Sequence, residues 1–188
     1  MLSEKQLIKD CLQGKKSSQY ELVKRYSKML MAVCRRYARD EAAAKDVLQE
    51  SLIRIFTHLE KYTPNEQGTF EGWLRTIAIR CSLTWINKSC FKKEVAPVEF
   101  PDHHSAEPEV YSYFGLEEIN SLLKELPDGF RTIFNLNIVE GYSHKEIANL
   151  LDITESTSRS QLTRARKMLQ EKIKLHKKKM NPHEVGKF

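Results

Sequence analysis

Apolar residues recur along this chain at intervals of three and four, the spacing that gathers them on one side of a helix. Four such stretches lie before Phe91. Ser3 followed by Gln6 reads as a capping box opening a short helix with Leu7, Ile8, Cys11 and Leu12. A turn from Gly14 to Ser17 is expected to break it. The second helix carries Tyr20, Leu22, Val23, Tyr26, Leu30, Val33, Cys34 and Tyr37 as its apolar positions. Asp40 is the expected N-cap of a third, with Val47, Leu48, Leu52, Ile55, Phe56 and Leu59 inside. Lys61 to Gly68, with Pro64, Asn65 and Gly68, reads as a loop. Thr69 then caps a fourth helix bearing Phe70, Trp73, Leu74, Ile77, Ala78, Cys81 and Trp85, in which Phe70, Trp73 and Ile77 sit at core spacing.

From Phe91 to about Tyr113 the periodicity stops. Pro97, Pro101 and Pro108 fall among scattered acids, the composition of a linker. A structureless stretch of that length is uncommon inside one compact domain, so two domains are expected. A second helical block follows. Leu116, Ile119, Leu122, Leu123 and Leu126 line one helix, stopped at Pro127. Phe130, Ile133, Phe134, Leu136 and Ile138 line the next, ended by Gly141. Ser143 with Glu146 is a second capping box and opens a short helix with Ile147, Ala148, Leu150 and Leu151. Asp152-Ile153 is a tight turn, and Thr154 caps a last helix whose buried stripe is Leu162, Ala165, Leu169 and Ile173. The expectation is an all-α chain of two small helical domains joined by a flexible linker: 1–92, a linker at 93–113, 114–176, and a basic tail at 177–188.

Charge adds a partner to this picture. The chain has 188 residues, is 40% hydrophobic and 30% charged, and carries a net charge of +6. From Asp102 to Glu155 the bases are Lys124, Arg131 and Lys145 alone, whereas Arg159 to Lys179 holds nine bases and one acid, Glu171. A basic end beside an acidic middle points to an anionic polymer, against the plainer reading of a solvated helix face.

Other chemistry is thin. Cys11, Cys34, Cys81 and Cys90 form no C-x-x-C pair, so they read as small buried residues in a reducing compartment. His103 and His104 have no third ligand at metal spacing, so no metal is expected. The absence of a Gly-rich phosphate loop and of any nucleophile–base pair speaks against an enzyme, a cofactor or a small-molecule substrate. Lys5, Lys9 and Asp10 interrupt the N-terminus, so no signal peptide is expected, and no apolar run nears the roughly 20 residues needed to span a bilayer. Cytoplasmic residence without membrane insertion is expected.

The segment Ser143 to Lys167 has the grammar of a DNA-binding helix-turn-helix: short helix, turn, longer helix. Ala148 is small where two helices cross, and Ile153 can plug the core between them. With the stripe buried, Glu155, Ser156, Arg159, Ser160, Thr163, Arg164 and Lys167 point away. Arg suits guanine edges or phosphate, and Ser and Thr suit phosphate or a thymine methyl.

Leu126-Pro127, Arg131, Phe134, Leu136, Glu140-Gly141-Tyr142-Ser143, Glu146-Ile147-Ala148, Thr157 and Arg164-Ala165-Arg166 together resemble the C-terminal domain of bacterial sigma factors, in particular the extracytoplasmic-function group. Asp46-Val47-Leu48-Gln49-Glu50 with Leu52, Ile55 and Phe56 resembles the family's polymerase-binding helix. Phe70-Glu71-Gly72-Trp73-Leu74 with Ile77-Ala78 resembles the start of its promoter −10 helix. Both blocks occur in the family's order and spacing, over residues 1 to about 175.

The resemblance implies an RNA polymerase sigma factor that binds core RNA polymerase and directs promoter-specific initiation. It implies that Asp46, Gln49, Glu50, Ile53, Arg54 and Phe56 dock on the polymerase clamp helices. It implies that Tyr62, Asn65, Arg75, Arg80, Trp85, Lys88 and Lys92 meet the opened −10 strand, with Phe91 and Lys93 beside them, where rings stack bases and cations follow phosphates. Ser143, Thr154, Glu155, Ser156, Thr157, Arg159, Ser160, Thr163, Arg164, Arg166 and Lys167 would read the −35 duplex. The polymerase flap and an anti-sigma factor are further implied partners. The acidic end of the linker (Asp102, Glu107, Glu109) would thread the polymerase as a nucleic-acid mimic, the alternative being a disordered spacer.

Three positions depart from the family pattern. Arg80 stands where Asn is common, and Arg cannot accept a hydrogen bond, so a different −10 preference is implied. Ser158 replaces a frequent Val, and Ser156 a frequent Gly. Two rival readings differ in class. A stand-alone helix-turn-helix regulator would bind duplex without polymerase as a dimer, yet no dimer helix is present. A helical enzyme or adaptor using the Trp73–Trp85 helix would need polar residues converging on a pocket, and the sequence offers none.

Overall fold

The computed structural model describes residues 2–63, 69–89 and 116–180. Residues 64–68 of the expected Lys61–Gly68 loop, the linker at 93–113 and residues 181–188 lie outside the described residues, as does Cys90. The chain divides into two compact units, Met1–Ser89 and Cys90–Phe188. Every regular element among the described residues is helical.

Unit one holds α1 (Glu4–Leu12), α2 (Lys16–Tyr37), α3 (Glu41–His58) and α4 (Phe70–Ser89), with a 3-10 turn at Leu59–Lys61. Ser3 starts α1 by accepting a bond from the Gln6 N–H at 3.3 Å. The Gln6 side chain turns instead to Asp10 Oδ1 at 2.9 Å, so the expected capping box is only half formed. Asp10 is 6% exposed and pairs with Lys15 Nζ at 2.8 Å. The Lys15 bond holds its carboxyl below the ordinary carboxylate range against the opposing pull of burial. This pair straddles Gly14, whose φ of +75° favours glycine. Helix resumes at Lys16, so the break is shorter than the expected Gly14–Ser17.

α2, α3 and α4 pack on one another, and α1 lies against α2. Leu7, Leu22, Leu30, Val33, Ile55, Phe70 and Leu74 are fully buried between them. Asp40 caps α3 as expected, its Oδ1 accepting from the Ala43 N–H at 2.8 Å. Thr69 does the same for α4 through the Gly72 N–H at 3.1 Å. Tyr20 departs from the expected stripe at 70% exposure, because residues 22, 26, 30, 33 and 37 set the buried line and position 20 lies well off it. Burial raises the thiol pKa of Cys11, Cys34 and Cys81, that of Cys34 to about 11, as suits packing residues rather than nucleophiles.

Unit two holds α5 (Leu116–Lys124), α6 (Asp128–Phe134), α7 (His144–Leu151) and α8 (Glu155–Met180). Its core is Leu122, Leu123, Leu126, Ile133, Leu136, Ile147, Leu162, Ala165, Leu169 and Ile173, all buried. The expected stripe of α8 is thus wholly inside. Arg131 and Asp128 form an ion pair at 2.8 Å with side chains 3% and 8% exposed. Arg131 Nη1 also donates to the Lys124 carbonyl at 3.3 Å, tying α6 to the end of α5.

α6 does not run unbroken to Gly141. It widens into a π-helical turn at Asn135–Val139, with the Glu140 N–H bonded to the Asn135 carbonyl at 3.0 Å. The Asn137 side chain donates to the Tyr142 carbonyl at 2.9 Å, and Gly141 at φ +77° reverses the chain. The extra residue in the turn shifts the register. Leu136 is buried, whereas Ile138, expected in the core, is 45% exposed.

Two outcomes follow for stability. Asp128→Ala strands a buried guanidinium and should cost the second unit about 3–5 kcal/mol in thermal or urea unfolding, whereas the apolar pair Asp128→Leu, Arg131→Met should cost far less. Asp10, its carboxyl pKa depressed on folding, stabilises fully above the ordinary carboxylate range and loses that contribution as pH falls below it. Asp10→Asn should therefore shrink the loss in melting temperature of the first unit between pH 7 and pH 3.

Candidate nucleic-acid interface

α7 and α8 are set against each other by caps. Ser143 Oγ accepts from the Glu146 N–H at 3.3 Å, and Glu146 Oε2 accepts from the Ser143 N–H at 2.8 Å, completing the box. The Ser143 hydroxyl, donating to Glu146 Oε2 at 2.7 Å, and then the Ser143 N–H hold the Glu146 carboxyl below its ordinary range. Asp152 ends α7 in the left-handed conformation at φ 55°, one that Asp adopts more readily than most residues. Ile153 follows half-buried, its N–H on the Ala148 carbonyl at 3.1 Å. Thr154 Oγ1 then accepts from the Thr157 N–H at 3.0 Å and lies 2.8 Å from the hydroxyls of Ser156 and Thr157. One side-chain oxygen thus organises the whole first turn of α8.

With the stripe inside, Ser156, Arg159, Ser160, Thr163 and Lys167 are all exposed, and their spacing of three and four places them on one face. Glu155, Thr157, Arg164 and Arg166 are half-buried on its flanks. Arg164, expected to point away with the face residues, is therefore lateral rather than central. Arg159 pairs with Glu155 one turn back. Both are solvated, so the pair is worth only about 0.3–0.5 kcal/mol and yields easily to a phosphate or base edge. Ser160 and Thr163 hydroxyls donate to the carbonyls of Thr157 and Arg159 at 3.1 Å each, leaving their oxygens free to accept. Farther along, Lys172 Nζ pairs with Glu125 at 2.6 Å, so one base of the Arg159–Lys179 run is committed to the fold.

In unit one, Asp46, Gln49 and Glu50 are exposed, Ile53 is 62% exposed and Phe56 is half-buried. Their positions share one side of α3. Arg54 lies at its edge, paired with Glu50 at 2.7 Å. Leu48 and Leu52 are half-buried beneath.

The residues expected on α4 do not converge. Arg75, Arg80 and Trp85 are five residues apart, and each step of five turns about 140° around the axis. Arg80 is exposed, while Arg75 is half-buried and paired with Glu71 at 2.9 Å, and Trp85 is half-buried. Sharing Arg80's face instead are Trp73, Thr76, Ile77 and Thr84. Trp73 and Ile77, expected in the core, are half-buried here. Thr76 and Thr84 lie four residues either side of Arg80, a placement that can be counted from the sequence. Tyr62 stands at the foot of the loop, its ring 4.9 Å from Phe70 and 5.4 Å from Trp73. Tyr26 joins the cluster edge-on to Phe70 at 5.6 Å. Tyr62 is half-buried against these rings rather than freely projecting. Asn65 and Lys92, like Phe91 and Lys93, lie outside the described residues, and the side chain of Lys88 likewise.

Two segments of the chain match known protein families. The profile described as Sigma-70 region 2 matches residues 22–89, and that described as Sigma-70, region 4 matches residues 116–169. The chain is similar to the ECF RNA polymerase sigma factor SigE of Mycolicibacterium smegmatis, 29% identical over 161 residues, spanning 83% of this chain but only 62% of that protein. It is also similar to the ECF RNA polymerase sigma-E factor of Haemophilus influenzae, 26% identical over 185 residues, spanning 92% of this chain and 96% of that one. The fold is shared with the sigma factor RpoE of Bartonella quintana, solved in complex with the anti-sigma factor NepR, at a TM-score of 0.52, 20% identity and coverage of 82% and 96%.

The caps can be tested directly. Ser143→Ala and Thr154→Ala should each lower the stability of the second unit by about 1 kcal/mol, and Thr154→Asn by much less, in circular-dichroism melts.

Proposed function

The chain belongs to the sigma-70 family of RNA polymerase sigma factors, in its extracytoplasmic-function group, and on that premise we propose that its two units divide promoter recognition between them. The second unit lays the α8 face of Ser156, Arg159, Ser160, Thr163 and Lys167 into the major groove of the −35 duplex, with Thr154, Ser143 and the flanking Arg164 and Arg166 on phosphates. The first unit holds core polymerase through the α3 side of Asp46, Gln49, Glu50, Ile53 and Phe56. It receives the opened −10 strand on α4, where Trp73, Ile77 and Arg80 offer rings, apolar surface and charge to unstacked bases.

The observation that carries the reading is the exposed face of α8, cleared of apolar residues and fixed by two caps, within the same chain as a region 2 unit. A stand-alone regulator would leave that first unit without a role. Melting is favoured because unpaired bases exchange their stack for protein contacts, and polymerase holds both units on one template, raising the effective concentration of each at its element. In this reading the protein supplies specificity and no catalysis of its own, and works in the cytoplasm. It docks on the polymerase clamp helices and flap, and is a target for an anti-sigma factor.

Run-off transcription with purified core polymerase on a genomic promoter library tests the proposal. New, discrete start sites should appear only when this protein is added. Their absence, with core binding intact, would refute it. Arg159→Ala should weaken use of promoters with an intact −35 element about five- to a hundredfold, the range of a lost arginine–base contact, and leave −35-less templates unaffected. Ile53→Asp should instead lower affinity for core polymerase in a pull-down.

A further inference from the structure

The first residue of α7 touches the recognition helix. His144 Nδ1 lies 2.9 Å from Ser158 Oγ. Ser158 is 0% exposed, whereas the imidazole is half-buried, so the bond runs from the interface between the two helices outward to the ring. Ser158 stands among the first two turns of α8, one residue before Arg159, on the side opposite the reading face. A bond there fixes how far α8 rotates about its own axis, and with it the heading of Arg159 and Ser160.

We propose that His144 is a positioning residue for the −35-reading helix, acting through Ser158, and that it makes duplex binding stronger as pH falls through the histidine range. The inference rests on the assignment of the −35 duplex to α8.

A hydroxyl both donates and accepts, so Ser158 bonds either charge state of the ring. It donates to a neutral Nδ1 and accepts from a protonated one. Alanine or valine at 158 could do neither. The charged groups around the ring are Arg159, Glu155 and Arg166 from α8, with Lys145 and Glu146 beside it on its own helix. Burial first, and then Arg159 and Arg166, hold the imidazole below its ordinary pKa, against an opposing pull from Glu155. Its place at the N-terminal end of α7 disfavours the cation further. Without DNA these surroundings favour the neutral ring over the imidazolium. A phosphate backbone alongside the same helix ends reverses the balance, because it favours the imidazolium and draws Arg159 and Arg166 to itself. The folded protein then takes up a proton on binding, and affinity rises with acidity.

The test uses the full chain assembled with core polymerase. Affinity is measured for one promoter fragment, found by the run-off screen, with its −35 duplex present and with the DNA ended downstream of that element so that its phosphates are removed, at several values from pH 8 to pH 6. The ratio of the two affinities isolates the second unit from the pH response of polymerase. In the wild type that ratio should grow by about three- to sixfold across the range for a one-unit rise in the ring's pKa on binding, tenfold being the ceiling for such a shift. His144→Gln, which retains an amide for Ser158 but does not titrate, should give a ratio independent of pH. Ser158→Ala, with its helix content checked by circular dichroism, should lower the ratio throughout and blunt its growth. A wild-type ratio that stays constant, or one that grows equally in His144→Gln, overturns the proposal. So does a Ser158→Ala protein indistinguishable from the wild type. A ratio of one at every pH would instead overturn the −35 assignment on which the proposal stands.

Discussion

A helix that reads a ligand must give the rest of its circumference to a core, and every working helix here is governed by that division. At about 100° per residue, a buried stripe at three- and four-residue spacing fixes which positions remain outside. On α8 the stripe is Leu162, Ala165, Leu169 and Ile173, and the face left over is polar and basic. On α3, with Val47 and Ile55 inside, the face left over is acidic with one large apolar residue, Ile53. α4 is the contrasting case. Leu74, Ala78, Ile79, Ser82, Leu83 and Ile86 are buried around most of its girth, and the side left open is a narrow one along Trp73, Ile77, Arg80 and Thr84. The three ligand classes assigned to these helices therefore follow from what each core leaves uncovered.

Three of the polar groups confined inside those cores are answered locally. Ser51 and Ser82 each donate to the carbonyl one turn back, at 2.6 Å and 2.8 Å. Arg131 finds Asp128 three residues away. Such short-range answers need no partner from a distant element, which lets each unit build its interior from helices that stand close in sequence, a topology associated with fast folding.

Much of this was legible in the sequence because it is local. The caps at Asp40, Thr69, Ser143 and Thr154 are a matter of one side chain and an N–H three residues on. The stripe of α8 and the tight turn at Asp152-Ile153 are likewise set within a few residues. What escaped was set by neighbours distant in sequence or by a change of helical period. Trp73 looks like core by spacing, yet Tyr62 and Phe70 already fill the space beside it and leave it half in solvent. Ile138 follows the stripe of α6 only if the helix keeps its pitch, and the π-helical turn at Asn135–Val139 alters it. Arg75, Arg80 and Trp85 suit the chemistry of strand binding one by one. Their shared interval of five separates them around the axis, which was countable from the sequence. The pairing of His144 with Ser158, fourteen positions apart, was visible only once two helices had been placed side by side.

α8 is a single uninterrupted rod of 26 residues. Its first turns carry the reading face, and its later turns are anchored, with Ile173 buried and Lys172 held by Glu125. The residues that anchor it and those that read from it occupy different sectors and different lengths of the same cylinder. Exchanges at positions 156, 159, 160, 163 and 167 therefore leave the interior untouched. On the proposed assignment of that face to the −35 duplex, a lineage can retune the promoters it recognises one side chain at a time, without passing through an unfolded ancestor.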